Sequence, residues 1–343
     1  MQGFDPKFKD FPDYIIEITK EIWEGRGIAT LHDYYHPDII VRSPSSVTVG
    51  NEGVIAATMA TLAEFPDRQL LGEDVIWSGT PEEGMLSSHR ILSTATHVGD
   101  GVYGKSTGRK LQYRILADCH ARNNMIDDEW LIRDQGAIVR QMGWDVKEYA
   151  RDLIEREGGV ANCVKPCTPE NDRPGPYKGR GNDNEWGARL GEILSRIMNA
   201  DMAVIEAEYD RAAHLEYPGH VTAHGWAPAD HFWMSLRSAF PSAKFEIHHS
   251  IGLKDDTMPP RAAIRWSLTG KHEGYGAFGV PTGAPVHVMG ISHAEFGVLG
   301  LGAPKLRREY TLFDETAIWK QILMHSGVLR NDTGSIRRAS GPV

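Results

Sequence analysis

Two kinds of proton-handling side chain recur in this chain at comparable places. Asp134 and Asp314 each lie in the last strand-like segment of a copy, and His120 and His293 each sit in the segment before it. A carboxylate beside an imidazole can take a proton from carbon or oxygen and hand it on. Strands alternate faces with a period of two. Trp130, Ile132 and Asp134 then share a face, as do Tyr310, Leu312 and Asp314. A carboxylate held against an aromatic and an aliphatic side chain is poorly solvated, and its pKa rises toward that of a useful base. On the preceding strand Leu116, Asp118 and His120 share one face, and Tyr113, Ile115, Ala117, Cys119 and Ala121 the other.

These side chains are positioned by a repeat. Residues 90–108 align without a gap on 265–283, an offset of 175, with eight identities in nineteen positions. They are Arg90/Arg265, Thr94/Thr269, His97/His272, Gly99/Gly274, Gly101/Gly276, Gly104/Gly279, Thr107/Thr282 and Gly108/Gly283. Phe65-Pro66 meets Phe240-Pro241, and Gly50 meets Gly225. Downstream the register slips by two, so that His120-Ala121 meets His293-Ala294. It then slips by seven the other way, and Glu129, Asp134, Ala137, Ile138 and Gln141 meet Glu309, Asp314, Ala317, Ile318 and Gln321. So long a period is a duplicated domain and not a solenoid.

Each copy begins with helical spacing, about 11–35 and 190–213, then a short loop and a helix, about 51–64 and 227–239, closed by Phe-Pro. Strand-like runs follow at 67–79, 85–97, 109–122 and 127–141, and at 243–252, 261–272, 284–296 and 306–321. Helices first and antiparallel strands afterwards indicate an α+β class. The predicted domains are 10–150 and 188–326. Residues 151–187 form a linker dense in Gly, Pro, Asn and Asp, ordered against one domain or neither.

The whole chain has 343 residues, 41% hydrophobic and 24% charged, with a net charge of −9. That charge argues against a nucleic-acid or anionic-membrane partner. No run approaches the ~18 apolar residues of a membrane span, and Met1–Phe11 has no signal-type apolar core. Three cysteines make no disulfide framework, so a cytoplasmic location is the default. Cys163 and Cys167 lack a second ligand pair for zinc, and His248 and His249 point to opposite strand faces. No phosphate-binding loop, dinucleotide fingerprint, metalloprotease motif or serine elbow is present. We therefore expect neither cofactor nor metal. Gly297–Gly302 reads as a loop, and Arg330–Arg338 as a frayed basic tail.

The strand order carries a resemblance. The first copy reads RILSTATHVGDGVYGKSTG, then DCHARN, then DEWLIRDQGAIVRQMG. The second reads RWSLTGKHEGYGAFGVPTG, then ISHAEF, then REYTLFDETAIWKQI. This resembles the SnoaL-like polyketide cyclase family of the nuclear transport factor 2-like superfamily, twice over. The resemblance implies two tandem cone-shaped α+β barrels, each a curved sheet wrapped on its N-terminal helices. It implies an acid/base Asp on the last strand helped by a His on the preceding one: Asp134 with His120, and Asp314 with His293. It further implies an intramolecular pseudo-dimer through the open sheet faces, which would explain why Ile115 and Ala117, opposite the pocket, are apolar. Association into a homo-oligomer stays open.

The expected reaction is cyclisation, isomerisation or dehydration of a small apolar or aromatic carbonyl compound. Trp130, Tyr310, Arg90, Arg265, His97 and His272 are the substrate-binding candidates. The rival readings are a non-catalytic small-molecule binder and a subunit that only mediates assembly. Each residue also has an ordinary reading. Asp134 and Asp314 could bond backbone or a neighbouring Arg133 or Arg308. Arg90 and Arg265 could form ion pairs, and His97 and His272 could serve the Gly-x-Gly turns. Trp130, Trp144, Tyr35 and Trp226 suit core or pocket wall. The copies differ at Trp130/Tyr310, Asp118/Ile291 and Arg42/Tyr217, so one competent site, or two with different ligands, is expected.

Overall fold

The computed structural model describes residues 1–298 and 302–326. The GVLGLG loop lies partly outside these residues, and the 330–338 tail wholly so. Asp10 opens helix α1 (Phe11–Thr19) by accepting from the Asp13 N–H, with Pro12 in the first turn. Ile15, Ile18 and Ile22 recur at helical spacing and are buried. The helix widens through Lys20–Glu24 and stops at Gly25. A short α2 (Leu31–Tyr34) leads into strands β1 (Tyr35–Ser43) and β2 (Ser46–Val49). Helix α3 (Asn51–Glu64) starts after Gly50, whose φ of 89° favours glycine. Then come β3 (Gln69–Thr80), β4 (Gly84–Thr96), β5 (Lys110–Arg122), β6 (Met125–Arg133), α4 (Gln135–Gln141) and α5 (Val146–Arg156).

The second domain repeats the plan. It comprises α6 (Glu185–Met198), α7 (Ala203–Glu208), β7 (Tyr209–Tyr217), β8 (Val221–His224) and α8 (Trp226–Ala239). These are followed by β9 (Lys244–Leu253), β10 (Arg261–Lys271), β11 (Pro285–Gly297), β12 (Lys305–Phe313) and α9 (Glu315–Ser326). The sheet orders are β2-β1-β6-β5-β4-β3 and β8-β7-β12-β11-β10-β9. Among the strands of the described residues, β1/β6 and β7/β12 pair in parallel and the rest antiparallel. Each is an open curved sheet wrapped on helices, an α+β cone and not a closed barrel.

Two local expectations change. The helix expected over 11–35 stops early, and β1 takes over at Tyr35. Its pairing slips between Tyr35 and Ile40, around Pro37, which cannot donate to a ladder. The last strands end at Arg133 and Phe313, where Asp134 and Asp314 cap α4 and α9. The β-branched residues beyond them had read as a continuing strand.

The pairings also correct the repeat's register. Arg90 pairs with Leu116, and Arg265 with Ile291, so the offset of 175 runs unbroken through β5 and β11. Asp118 is thus the counterpart of His293, and His120 of Glu295. The insertion before β12 is five residues (β6 starts at 125, β12 at 305), with no slip of two before it. The β7–β8 turn has one residue more than the β1–β2 turn, which places Ser43, not Arg42, opposite Tyr217.

The sheets pack on one another through the faces that point away from their own helices. Leu116, Ile132 and Cys167 meet Met289, Ile291 and Leu312 there, and Ile76 and Leu86 meet Ile251 and Ala263. The linker lies against both domains. Cys167 N–H donates to Pro44 O at 3.0 Å, Tyr177 N–H to Asp128 Oδ2 at 3.1 Å, and Tyr177 Oη lies 2.7 Å from His249 Nε2. All three cysteines are buried free thiols.

Candidate functional site

The cone of the first domain holds a cavity of about 320 Å³, at the small end of the usual range for ligand sites. Strand alternation decides its walls. Ile115, Ala117 and Cys119 of β5 face it, as do Glu129, Leu131 and Arg133 of β6 and His89 and Ile91 of β4. Helix α3 contributes Gly53, Ala57, Thr58 and Thr61, and the β1–β2 turn contributes Ser43, Ser45 and Ser46. Ile115 and Ala117 had been assigned to the face opposite the pocket. The alternation is as expected, but the concave side is the other one, and a single step along a strand exchanges every side chain between faces.

Glu129 is the group in this cavity most suited to chemistry. Burial pushes its carboxyl up to about 7, while the Tyr35 hydroxyl works in the opposite direction by favouring the charged form. Its Oε2 has no partner among the described residues. Tyr35 and Glu129 are both buried, and Tyr35 stays a phenol because burial holds its pKa well above the ordinary value. His89, also on the wall, is kept neutral, since burial takes its pKa down to about 4.

The second cone retains the pair and fills the space. Glu309, counterpart of Glu129, accepts from Tyr209 at 2.9 Å, Tyr217 at 2.8 Å and Thr311 at 2.8 Å. Thr311 Oγ1 lies 2.8 Å from Ser292 Oγ, which accepts from Trp266 Nε1 at 3.0 Å. The first domain has Leu131, Ala117 and Ile91 at those three positions, so the chain of hydrogen bonds is absent there. Thr58, Ala57, Thr61 and Ser43 become Trp233, Phe232, Leu236 and Tyr217. Trp233 and Trp266 are fully buried in the second core, and Tyr217 stacks on Phe232 at 3.7 Å.

The structure does not bring the expected Asp–His pairs together. His120 pairs with Asp128, and Asp134 follows Arg133, which pairs with Ile115. Five residues of β5 separate those levels, about 17 Å at the rise of a strand. Asp134 is buried and accepts from Ala137 N–H at 3.0 Å, Gly219 N–H at 2.9 Å and His220 N–H at 2.9 Å. It caps α4 and clasps a turn of the other domain. Burial raises its pKa to about 6 against those three donors. Asp314 caps α9 through Thr316 and Ala317, is raised by burial to about 6, and borders the first domain's cavity from the second domain. His120 Nδ1 lies 2.6 Å from Asp127 Oδ1, and its ring is covered by Tyr177. His293 Nε2 lies 2.8 Å from Ser88 Oγ across the interface, and burial keeps it neutral.

Arg90, Arg265, Trp130, Tyr310, His97 and His272 lie outside the cavity wall. Arg90 stacks on Tyr310 and Arg265 on Trp130, both at 3.6 Å, as mirror images across the interface. Arg265 Nε donates to Asp118 Oδ2 at 2.9 Å. Arg90, which has His293 where that Asp would be, donates to Glu73 at 2.9 Å. His97 bridges Glu64 and Thr107, each at 3.1 Å, and His272 lies 3.1 Å from Thr282, both beside Gly-rich turns. Tyr35, expected as core or pocket wall, lines the cavity; His89, Arg68 and Arg133 beside it carry no mark in the sequence that singles them out as a site. For Glu129 a signal existed, since it recurs as Glu309 five residues before the repeated Asp. Among the described residues no group of His, Cys, Asp and Glu is arranged to hold a metal. No helix among them is long and apolar enough to cross a membrane.

Comparison with known proteins agrees with this architecture. A family model described as SnoaL-like polyketide cyclase matches residues 13–142, and one described as SnoaL-like domain matches residues 192–300. A search of the curated proteins finds no match. Among solved structures, IdmH of Streptomyces antibioticus, named a candidate polyketide cyclase, is 22% identical. It covers 38% of this chain and 97% of its own at a TM-score of 0.33. AclR of Streptomyces galilaeus, named a candidate hydroxylase, is 18% identical over 38% of this chain and 92% of its own, at 0.34. A SnoaL-like polyketide cyclase of Agrobacterium tumefaciens is 19% identical over 39% and 94%, at 0.29. The chain carries two SnoaL-type domains in tandem, the first belonging with the SnoaL-like polyketide cyclases and the second with the SnoaL-like domains.

Proposed function

We propose that the first domain is an acid/base enzyme in which Glu129 moves a proton on a small carbonyl compound held in the cone. The second domain is its structural support. One observation carries this reading: Glu129 keeps an unbonded oxygen at the wall of an open cavity, while its counterpart Glu309 is saturated with hydrogen bonds and walled in. A base of this kind works best when its pKa lies near the operating pH. Glu129 would take a proton from carbon next to the carbonyl, and Tyr35 would steady the carboxylate. The apolar walls exclude water while the enolate closes a ring, shifts a double bond or expels a leaving group. This chemistry needs no cofactor.

The test is hydrogen–deuterium exchange at the acidic C–H of ketones, lactones and enones, followed by NMR. Glu129→Gln should slow the exchange by about 10²–10⁴ and leave ligand affinity close to wild type. Binding without exchange in the wild-type protein would turn the assignment into that of a carrier.

A further inference from the structure

We infer that the first domain's cavity recognises an anionic group, a carboxylate in the first instance, through Arg68 and Arg133. The inference rests on the reading of this cavity as the working site.

Both arginines line the cavity, and neither forms a salt bridge to a carboxylate among the described residues. Arg68 is 6% exposed; its Nε reaches Ser93 Oγ at 3.5 Å, and its guanidinium also bonds the Tyr113 hydroxyl. Arg133 Nε is buried with no partner. The two guanidinium groups flank Tyr113. Burial opposes ionisation of that phenol, yet Arg68 and Arg133 bring its pKa below the ordinary value. Asp314 borders the same wall, but its carboxylate is engaged by Thr316 and Ala317 and makes no salt bridge to either arginine. Two cations that face a space, Arg68 buried and Arg133 half-buried, with no carboxylate in salt-bridge contact and Asp314 acting on Arg133 only through space, are costly to desolvate. A ligand anion would supply the missing charge, and guanidinium suits a carboxylate best because its fork can bond both oxygens.

The second domain shows that the fold does not need these groups. The counterparts of Arg68, Tyr113 and Arg133 are Ala243, Val288 and Phe313, all buried in an apolar core. The two arginines and the tyrosine between them are present only where a cavity is present. Glu129 and Arg133 lie on the same face of β6, four residues apart, about 13 Å along the strand. The substrate class that fits is an elongated carbonyl compound. Its carboxylate would be anchored at the arginine end, its acidic C–H would reach Glu129, and its apolar body would lie against Leu70, Ile91, Ile115 and Leu131.

The test is calorimetric titration of the full-length protein with ω-phenylalkanoates of increasing chain length, each against its primary amide. Wild type should bind the best carboxylate at least about tenfold tighter than its amide, the scale of a charge-assisted hydrogen bond. Arg68→Met and Arg133→Met should each remove that preference and leave amide affinity within about twofold. Equal binding of acid and amide, no binding of either series, or a preference unmoved in folded variants overturns the inference. Should the variants not fold, the wild-type acid/amide ratio decides alone. Glu129→Gln should keep the preference while losing exchange. Carboxylate preference without any exchange would sink the proton-transfer reading and spare the anion site, and exchange without the preference would do the reverse.

Discussion

Glu129 and Glu309 stand at the same position of two copies of one fold, five residues before the aspartate that caps the next helix, and differ in what surrounds them. Glu309 accepts hydrogen bonds from two tyrosines and a threonine, whereas Glu129 faces a cavity with one oxygen bare. A single contrast inside one chain thus separates what the second cone fills with side chains from what the first leaves open.

The first prediction concerns pH. Burial raises Glu129 from 4.5 to about 7, so the folded protein binds more protons than the unfolded chain between those values. Stability from this group is fully present below about pH 4.5 and is lost as pH rises through 7. Glu129→Gln should match wild type at low pH and exceed it above neutrality, by on the order of 3 kcal/mol. Urea denaturation at pH 4.5 and 8 measures the difference. Equal stability at both pH values would mean that the carboxylate is better solvated than its position implies.

Asp134 is predicted to matter for assembly and not for turnover. Asp134→Ala removes a helix cap and orphans the Gly219 and His220 N–H groups. The combined loss is about 2–4 kcal/mol, read as a fall in melting temperature. Proton exchange per folded molecule should be unchanged. A drop of a hundredfold or more in the folded variant would restore Asp134 to the chemistry.

Filling the first cone as the second is filled should silence it. Thr58→Trp places the side chain of Trp233 at its mirror position on α3. Ligand binding should be abolished while the far-ultraviolet dichroism of the folded protein persists. Conversely, Trp233→Thr should cost about 3–5 kcal/mol, the scale of a large core truncation.

The interface makes a fourth prediction. Asp118→Ala leaves Arg265 buried without its carboxylate, and breaking such a pair costs about 3–5 kcal/mol. Asp118→Leu together with Arg265→Met should recover most of that loss, because both charges leave together. Guanidinium melts of the single and double variants decide. A double variant no better than the single one would show that the stacking of Arg265 on Trp130 carries the interface instead.

The sequence made the duplication and the α+β cone legible, because Arg90-x₆-His97-x-Gly and its copy at Arg265 keep their spacing through two strands. The site was less so. Asp134 and Asp314 were conspicuous because they recur, but they recur as helix caps, a role that local sequence fixes as tightly as catalysis would. The pairing of His120 with His293 rested on a two-residue slip that the β4–β5 and β10–β11 ladders remove. Glu129 recurs just as faithfully, yet nothing local marks the concave face of β6. That depends on how the sheet curls over α1 and α3, a long-range property. Arg68 and Arg133 come together only in three dimensions, from just before β3 and the end of β6.

The sheet-to-sheet seam has a consequence for how such a protein can change over generations. Two identical subunits must accept every substitution in duplicate, so a residue that plugs one chamber plugs its twin. Once the halves share a single chain, that constraint lapses. One half is free to become solid and brace its neighbour, and the other to stay hollow and be reshaped for a new guest.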